Sequence, residues 1–168
     1  MTTAYVLNAK KDIKFEDLPE IVTTKFGEKY VFDEFQEKDF SGLCEIFKEV
    51  VEEGKSYPQD FCDESSFRAY FLSHNCFVVR KIDNEAVVAG IYIKPNFPGR
   101  SAHIANAGLV IKMDYRKKAL GDILMEKWQS MGKRLGFEAA YSNLVFATNT
   151  AMIKLMQRHG FVKVGQLP

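Results

Sequence analysis

A short basic segment that precedes a helix start has the residue types needed to bind phosphate. Residues 103–111 are largely apolar and lead into Lys112-Met113-Asp114-Tyr115-Arg116-Lys117-Lys118, after which residues 119–125 begin a predicted helix. The first turn of a helix has unpaired backbone N–H groups and a partial positive charge. Because both stabilise an anion, the sequence predicts that this strand, turn and helix hold a phosphate group.

Two asparagines could take part in chemistry on an amine. Asn106 lies within residues 103–111 and Asn143 within residues 139–146, and both stretches are predicted core strands. A side-chain amide inside a strand costs free energy unless it is hydrogen-bonded. On neighbouring strands the pair could orient a substrate amine or carboxylate; alternatively, both amides satisfy backbone groups where the strands diverge. The occurrence of two such amides favours the substrate site.

The composition indicates a single globular domain without a nucleic-acid partner. The chain has 168 residues, of which 46% are hydrophobic and 27% charged, and its net charge is +1. That length allows one substantial hydrophobic core. A net charge near zero lacks the surplus of lysine and arginine that binds a phosphate backbone.

The cysteines and the hydropathy profile bear on the cellular compartment. Cys44, Cys62 and Cys76 have no metal-ligand spacing, and their odd number indicates a reducing environment. We predict that they are small buried apolar residues, and we predict no metal site. No apolar run approaches the roughly 18 residues of a membrane span, and residues 1–12 lack the apolar core of a signal peptide. These features predict a cytoplasmic protein without a membrane partner.

The periodicity of apolar residues predicts alternating strands and helices around the candidate site. The predicted strands are 30–35, 76–82, 86–93, 103–111, 139–146 and 161–164, and the predicted helices are 39–53, 65–72, 119–135 and 150–159. Asp83-Asn84 predicts a tight turn between the second and third strands. Residues 1–28 are predicted to be an N-terminal extension with one short strand, and residues 29–168 the domain itself.

Two motifs and the order of elements resemble the GNAT superfamily of acetyl-coenzyme A (acetyl-CoA) dependent N-acetyltransferases. Arg116-x-x-Ala119-x-Gly121 resembles its pyrophosphate signature R/Q-x-x-G-x-G/A, and residues 149–161 resemble its N-x-x-A-x-x-L-Y-x-x-x-G-F helix. The resemblance implies an α/β (α+β) fold, with a central twisted mixed sheet and flanking helices. GNAT domains usually end with one more strand. Either that strand is missing, another subunit of a homodimer supplies it, or the N-terminal segment covers that edge.

The resemblance also implies how acetyl-CoA is held as co-substrate. Backbone groups of Leu109, Val110 and Ile111 would contact the pantetheine and acetyl groups, and Asn149 would contact the pantetheine or cap its helix. The backbone amides that would hold the pyrophosphate are those of Arg116, Lys117, Lys118, Ala119, Leu120, Gly121 and Asp122. Lys117 and Ala119 depart from the family pattern, since glycine usually stands where backbone approaches phosphate. Met156 replaces a tyrosine that protonates the leaving thiolate, and a thioether has no proton to donate.

A narrower resemblance bears on the acceptor. Residues 94–108 resemble the K-P-N-x-P-G-R-x-x-H-x-x-N-A-G block of the fungal proline-analogue acetyltransferases, and residues 143–149 resemble their N-L-V-x-x-T-N. These enzymes acetylate L-azetidine-2-carboxylate and related imino acids, and the resemblance makes Asn106 and Asn143 the catalytic residues. The implied partner is a small-molecule amine, such as an amino or imino acid. The alternatives are acetylation of a peptide or protein amine, and a CoA-binding regulatory protein with little turnover.

Overall fold

A mixed sheet of six strands carries the helices and positions the site. In a computed structural model that describes residues 7–168, the strands are β1 (Glu20–Thr23), β2 (Lys29–Glu34), β3 (Asn75–Lys81), β4 (Val87–Pro95), β5 (Ile104–Ile111) and β6 (Ala139–Ala140). The helices are α1 (Phe40–Glu53), α2 (Glu64–Phe71), α3 (Leu120–Arg134) and α4 (Thr150–Arg158). The first six residues of the predicted extension, which also carry part of the signal-peptide argument, lie outside the described residues.

The strands follow one another across the sheet in chain order. Strands β1 to β5 pair antiparallel, and β6 joins β5 in parallel, which confirms the predicted mixed sheet. The parallel contact is short, because only Ile104 with Ala139 and Ala105 with Ala140 are partners. The Tyr141 N–H then donates to the Ala105 carbonyl oxygen at 2.8 Å, and the chain leaves β5 beyond that point.

Two predicted strands differ in the structure. The strand predicted over residues 139–146 is regular only at Ala139–Ala140. Leu144, with φ of 56°, lies in the left-handed region and is incompatible with an extended ladder. The strand predicted over residues 161–164 is absent from the described chain. Val162 and Val164 are largely exposed, so the alternating apolar pattern there has no surface to cover.

Local signals set the ends of several elements. Gly54 follows α1 with φ of 65°, and Gly136 follows α3 with φ of 76°, a left-handed conformation that glycine adopts readily. In the turn between β3 and β4, Asn84 Oδ1 accepts a hydrogen bond from the Ala86 N–H at 3.1 Å. This confirms the antiparallel hairpin predicted around Asp83-Asn84.

Part of the predicted N-terminal extension belongs to the sheet. Strand β1 pairs with β2, with Ile21 opposite Val31. Phe15 is buried and its ring lies edge-on to that of Phe77, at 5.4 Å between centroids. The division at residue 28 stays a prediction, and the described part of the extension contributes both an edge strand and core side chains.

The two faces of the sheet have separate hydrophobic cores. Helix α3 covers one face and buries Trp128, and helices α1 and α2 cover the other, where Phe47 and Phe67 are fully buried. All three cysteines are free and buried, as predicted. Burial raises the pKa of the Cys76 thiol, so this sulfur stays protonated and unreactive.

A buried ion cluster fixes α1 to the sheet. Arg80 on β3 donates from Nε to Asp39 Oδ1 at 2.7 Å and from Nη1 to Asp33 Oδ2 at 2.7 Å. All three side chains are almost fully buried. A buried charge without its partner is strongly destabilising, so the cluster specifies how the start of α1 meets β2 and β3.

Candidate active site

The separation of β5 from β6 leaves one edge of β5 open. Lys112 donates its N–H to the Val88 carbonyl oxygen at 2.9 Å. Since backbone groups alternate between the two sides of an antiparallel strand, Val110 also pairs with β4, whereas Leu109 and Ile111 direct their N–H groups to the open side. Of the three predicted backbone contacts, the structure therefore places Leu109 and Ile111 at the opening and Val110 in the ladder.

Asn106 and Asn143 meet where the two strands part. Asn106 Nδ2 donates to Asn143 Oδ1 at 3.1 Å and to the Tyr141 carbonyl oxygen at 3.2 Å. Asn106 is buried on β5, whereas Asn143 is exposed and lies in irregular chain after β6, not within a core strand. The structure thus brings the two predicted residues into contact, although only one of them lies on a strand.

The asparagine pair keeps unused hydrogen-bonding capacity. Within residues 7–168, Asn106 Oδ1 and the Asn143 Nδ2 group have no protein partner. One acceptor and one amide donor of the contacting pair are therefore available to a ligand at the opening. This arrangement suits a ligand that has both an N–H group and an oxygen atom.

The pair lies on the wall of a cavity of about 390 Å³. The cavity is bounded by β4, β5, the segment after α1, the segment after β6 and the first turn of α4. Besides Asn106 and Asn143, its polar lining includes Ser56, Tyr57, Gln59, Tyr70, Tyr92, Lys94, Asn96, Ser142 and Asn149. A volume of this size is typical of small-molecule sites.

Three tyrosines and a lysine in this cavity were not among the predicted site residues. The Tyr57 hydroxyl donates to the Leu109 carbonyl oxygen at 3.2 Å, and the Tyr70 and Tyr92 hydroxyl oxygens are 3.0 Å apart. Burial raises the pKa of Tyr57 and of Tyr92 far above the usual value, so both are neutral phenols. A signal existed for Lys94, which opens the 94–108 motif, but none for the tyrosines.

A glycine makes room for two of these rings. A Cβ atom at Gly108 would lie 2.3 Å from Tyr92 Cε1 and 2.6 Å from the Tyr57 hydroxyl oxygen. The glycine of the Asn106-Ala107-Gly108 run therefore has a structural role, since it lets both rings approach β5. Any larger residue at 108 would displace the cavity wall.

The basic turn before α3 has the backbone shape of a phosphate site. Lys117 has φ of 63° and Ala119 has φ of 62°. These are the positions where the family pattern has glycine, and the chain adopts the left-handed conformation there despite its side chains. Residues Leu120, Gly121 and Asp122 form the first turn of α3, so their N–H groups have no intrahelical acceptor.

Side chains of the turn contact protein groups. Arg116 donates to Glu53 Oε1 from Nη1 at 3.0 Å and to the Ile111 carbonyl oxygen from Nε at 3.4 Å. Lys118 lies 3.7 Å from Glu28, while Lys117 is exposed. The Arg116 side chain is thus engaged in positioning the turn, and the backbone amides and the exposed Lys117 ammonium are the groups left for an anion.

Asp122 and Gly121 join the first turn of α3 to α4. Asp122 Oδ1 accepts hydrogen bonds from Arg158 at 2.8 Å and from His159 Nε2 at 3.1 Å. Burial opposes its ionisation, but these hydrogen bonds and the charges of Arg158 and Lys25 together outweigh burial and lower the pKa of Asp122. A Cβ atom at Gly121 would lie 2.9 Å from Leu155 Cδ2, so this glycine permits close approach of the two helices.

Asn149 precedes the first turn of α4, and Met156 lies about two turns further along the helix. Asn149 Oδ1 caps the helix by accepting from the Met152 N–H at 3.1 Å, and its Nδ2 contacts Ser56 Oγ at 3.4 Å. Asn149 and Met152 both line the cavity. Met156 instead lies in the core on the α3 face of the sheet. The position where the family has its tyrosine therefore lies away from the cavity in this chain.

Metal-binding clusters and membrane-spanning helices are both absent from the described residues. Between residues 7 and 168 there is no group of three or more histidine, cysteine or acidic side chains that could hold a metal ion. None of the helices in the same range is long and apolar enough to cross a membrane.

Comparison with known proteins gives the class to which this fold and site belong. The acetyltransferase (GNAT) family profile matches residues 33–161. This match spans most of the chain and includes β5, the basic turn, α3 and α4. The chain belongs to the acetyltransferase (GNAT) family.

Two curated proteins are similar to different lengths of this chain. N-acetyltransferase aca1 of Schizosaccharomyces pombe is 28% identical over 147 residues, which are 77% of this chain and 70% of the relative. Protein SPT10 of Saccharomyces cerevisiae is 34% identical over 80 residues, 47% of this chain, but the match spans only 12% of that protein.

Solved structures show the same fold. A GCN5-related N-acetyltransferase from Kribbella flavida has a TM-score of 0.77 and 26% identity, covering 82% of this chain and 84% of its own. The structure of yncA from Salmonella typhimurium with its cofactor acetyl-CoA has a TM-score of 0.72 and 17% identity, covering 84% of each chain.

Proposed function

We propose that this protein transfers an acetyl group from acetyl-CoA to the amine of a small molecule, an amino or imino acid. The observation that carries the proposal is the Asn106–Asn143 contact beside the open edge of β5, on the wall of a small cavity. Membership of the GNAT family supports the reaction class. The resemblance of residues 94–108 and 143–149 to fungal proline-analogue acetyltransferases supports the acceptor class.

The chain has suitable groups for acetyl-CoA at two places. The first-turn amides of α3 and the left-handed turn at Lys117 and Ala119 fit the pyrophosphate, because they present N–H groups at a helix N-terminus. The free N–H groups of Leu109 and Ile111 fit the pantetheine amides and the thioester oxygen. When bound, acetyl-CoA supplies the activated acetyl thioester.

The asparagine pair would position the acceptor. Asn106 Oδ1 accepts a hydrogen bond from the acceptor amine, and Asn143 Nδ2 donates to an oxygen of the same molecule. The N–H groups on the open edge of β5 stabilise the negative charge that develops on the thioester oxygen. Catalysis then consists of positioning and oxyanion stabilisation, without a covalent enzyme intermediate.

The leaving thiolate needs no dedicated acid in this scheme. Met156 lies in the core, and the phenol of Tyr57 is already bonded to the Leu109 carbonyl oxygen. The nitrogen attacks the thioester carbon as the neutral amine, the C–S bond breaks, and the nitrogen loses one proton to water as the amide forms. A thiol has a pKa near 8.5, so water at neutral pH can supply the proton that the thiolate takes up.

A coenzyme A release assay tests the proposal. Purified protein with acetyl-CoA is screened against amino acids, imino acids, polyamines and peptides. We expect release with amino or imino acids and little with peptides. Preference for peptides would show a peptide N-acetyltransferase. Tight binding of coenzyme A without release for any amine would show a CoA-binding regulatory protein.

We also propose a cytoplasmic location, because three buried unpaired thiols suit a reducing compartment. A homodimer remains a further proposal. Strand β6 lies at one edge of the sheet, and no other described strand pairs with its outer side. A strand of a second subunit could pair there.

A further inference from the structure

Lys94 is the only charged side chain among the described residues that line the cavity. Its Nζ lies 4.6 Å from the ring centre of Tyr70 and 4.7 Å from that of Tyr92. The side chain is half-buried, and it takes part in none of the ion pairs of residues 7–168. A cation thus lies on two aromatic faces in the cavity without an anionic partner from the described chain.

The register of the sheet places this cation beside the asparagine pair. Lys94 on β4 is directly opposite Asn106 on β5. Residues directly opposite each other in an antiparallel pair extend from the same face of the sheet, with Cβ atoms about 5 Å apart. The lysine and the amide pair therefore border the same part of the cavity.

The environment of Lys94 favours an anionic ligand. Burial lowers the pKa of this ammonium group, because the charged form loses hydration. The faces of Tyr70 and Tyr92 replace part of that hydration. A carboxylate would supply the rest, since it gives a half-buried ammonium both a countercharge and a charge-assisted hydrogen bond.

Gln59 adds a further polar atom without a partner to the cavity wall. Gln59 Oε1 is buried and accepts no hydrogen bond within the described chain. A buried carbonyl oxygen without a donor costs free energy, so a ligand N–H would satisfy it. The cavity therefore presents a cation for an anion and spare acceptors for N–H groups, which are the complements of an amino or imino acid.

On the basis of the function proposed above, we infer that Lys94 binds the carboxylate of the acceptor and makes the protein selective for free amino or imino acids. Amines without a carboxylate would leave the ammonium unpaired. Arg100, the cation nearby in sequence, is exposed and does not line the cavity. Lys94 is thus a specificity-determining residue, placed where the amine of the same ligand reaches Asn106.

Matched ligands and variants test this inference. L-azetidine-2-carboxylate and L-proline, and the carboxamide of each, are titrated calorimetrically into protein saturated with coenzyme A. The proteins are the wild type, Lys94→Met, Lys94→Arg and the surface control Lys133→Met on α3. Thermal melts verify that each variant folds, and coenzyme A release is measured in parallel with acetyl-CoA.

We expect the wild type and Lys133→Met to bind at least one acid about 100-fold more tightly than its carboxamide, because the carboxamide cannot form the charge pair with Lys94. Lys94→Met should remove most of that preference, and Lys94→Arg should retain at least a tenth of it. Retention by arginine also separates carboxylate binding from proton abstraction, because a guanidinium group does not deprotonate.

Equal affinity of the wild type for acid and carboxamide, or no binding of either, would overturn the inference. The inference would also be overturned if Lys94→Met weakened the binding of the acid and of the carboxamide equally. Selective binding of an acid without coenzyme A release from any acceptor would instead overturn the proposed acetyl transfer and leave the role of Lys94 intact.

Discussion

Asn106 Nδ2 donates to Asn143 Oδ1 over 3.1 Å, at the point where β5 and β6 cease to pair. The contact joins a buried strand residue to an exposed residue of irregular chain. Among residues 7–168 it leaves Asn106 Oδ1 and the Asn143 Nδ2 group without a protein partner. The opening between the strands is therefore both the site where backbone N–H groups are free and the site where two side-chain amides are held together.

Alanine at either asparagine should impair acetyl transfer and leave coenzyme A binding nearly unchanged. Asn106→Ala and Asn143→Ala each remove one hydrogen bond to the acceptor, so kcat/KM should fall by the equivalent of about 1 to 3 kcal/mol. Because the two side chains contact each other, the double variant should lose less than the sum of the single losses. Steady-state kinetics and calorimetry measure these effects. Full activity in both single variants would show that the amides are only structural.

The left-handed turn should respond to the size of residue 119. Ala119 has φ of 62°, a conformation that costs an L-residue about 1 to 2 kcal/mol and glycine little. Ala119→Gly relieves this strain, which offsets the greater flexibility of the unfolded glycine chain, so the free energy of unfolding should stay equal or rise by under about 1 kcal/mol. Ala119→Val should lower it, since a β-branched residue tolerates this conformation poorly. Urea unfolding measures the free energy of unfolding of both variants. Equal stability of Ala119→Val and the wild type would contradict a strained turn.

Tyrosine at position 156 should destabilise the fold without adding an acid to the site. Met156 is buried in the core on the α3 face, so Met156→Tyr overpacks it and should lower the free energy of unfolding by about 1 to 3 kcal/mol. Met156→Leu, the volume-conserving control, should cost under about 1.5 kcal/mol. A folded, equally stable tyrosine variant with raised turnover would place this position beside the thioester instead.

The Asp122 contacts predict a pH-dependent contribution to stability. Burial alone would raise the pKa of Asp122, but hydrogen bonds from Arg158 and His159 and the charges of Arg158 and Lys25 together lower it in the fold. The carboxylate therefore stabilises the protein above the unfolded pKa of about 3.9, and this contribution disappears as the pH falls through the lower folded value. At pH 7, Asp122→Asn should lose about 0.5 to 1 kcal/mol, as is usual for a partly exposed pair.

Denaturant unfolding of the wild type and Asp122→Asn along a pH series measures this difference. The two curves should converge in acid. A constant difference at every pH would assign the effect of the substitution to packing and not to charge.

The parts of the fold that the sequence predicted are those with local signals. Helix α1 has apolar residues at helical spacing and a glycine stop, and the hairpin has the Asp83-Asn84 turn. Strand β6 and the absent strand at 161–164 depend on pairing between distant segments. Apolar residues at Val162 and Val164 match a strand pattern, but pairing partners decide whether a strand forms.

Site residues that lie in motifs could likewise be predicted from the sequence, whereas those brought together by packing could not. Asn106 and Asn149 lie in motifs with fixed spacing, and the structure places both on the cavity wall. Tyr57, Tyr70 and Lys94 come from three separate segments, so only the packed sheet and helices reveal that they share a cavity. The place of Met156 likewise depends on how α4 is rotated against the core, which sequence spacing alone does not fix.

Calorimetric titration of acetyl-CoA tests most directly whether the basic turn and the open edge of β5 hold this co-substrate. We expect saturable binding to the wild type, with the melting temperature rising by mass action, because the ligand binds only the folded chain. Charge reversal at the exposed Lys117 should weaken binding, whereas Lys133→Glu near the far end of α3 should bind like the wild type. No heat of binding and an unchanged melt at millimolar acetyl-CoA, or equal effects of the two charge reversals, would contradict it.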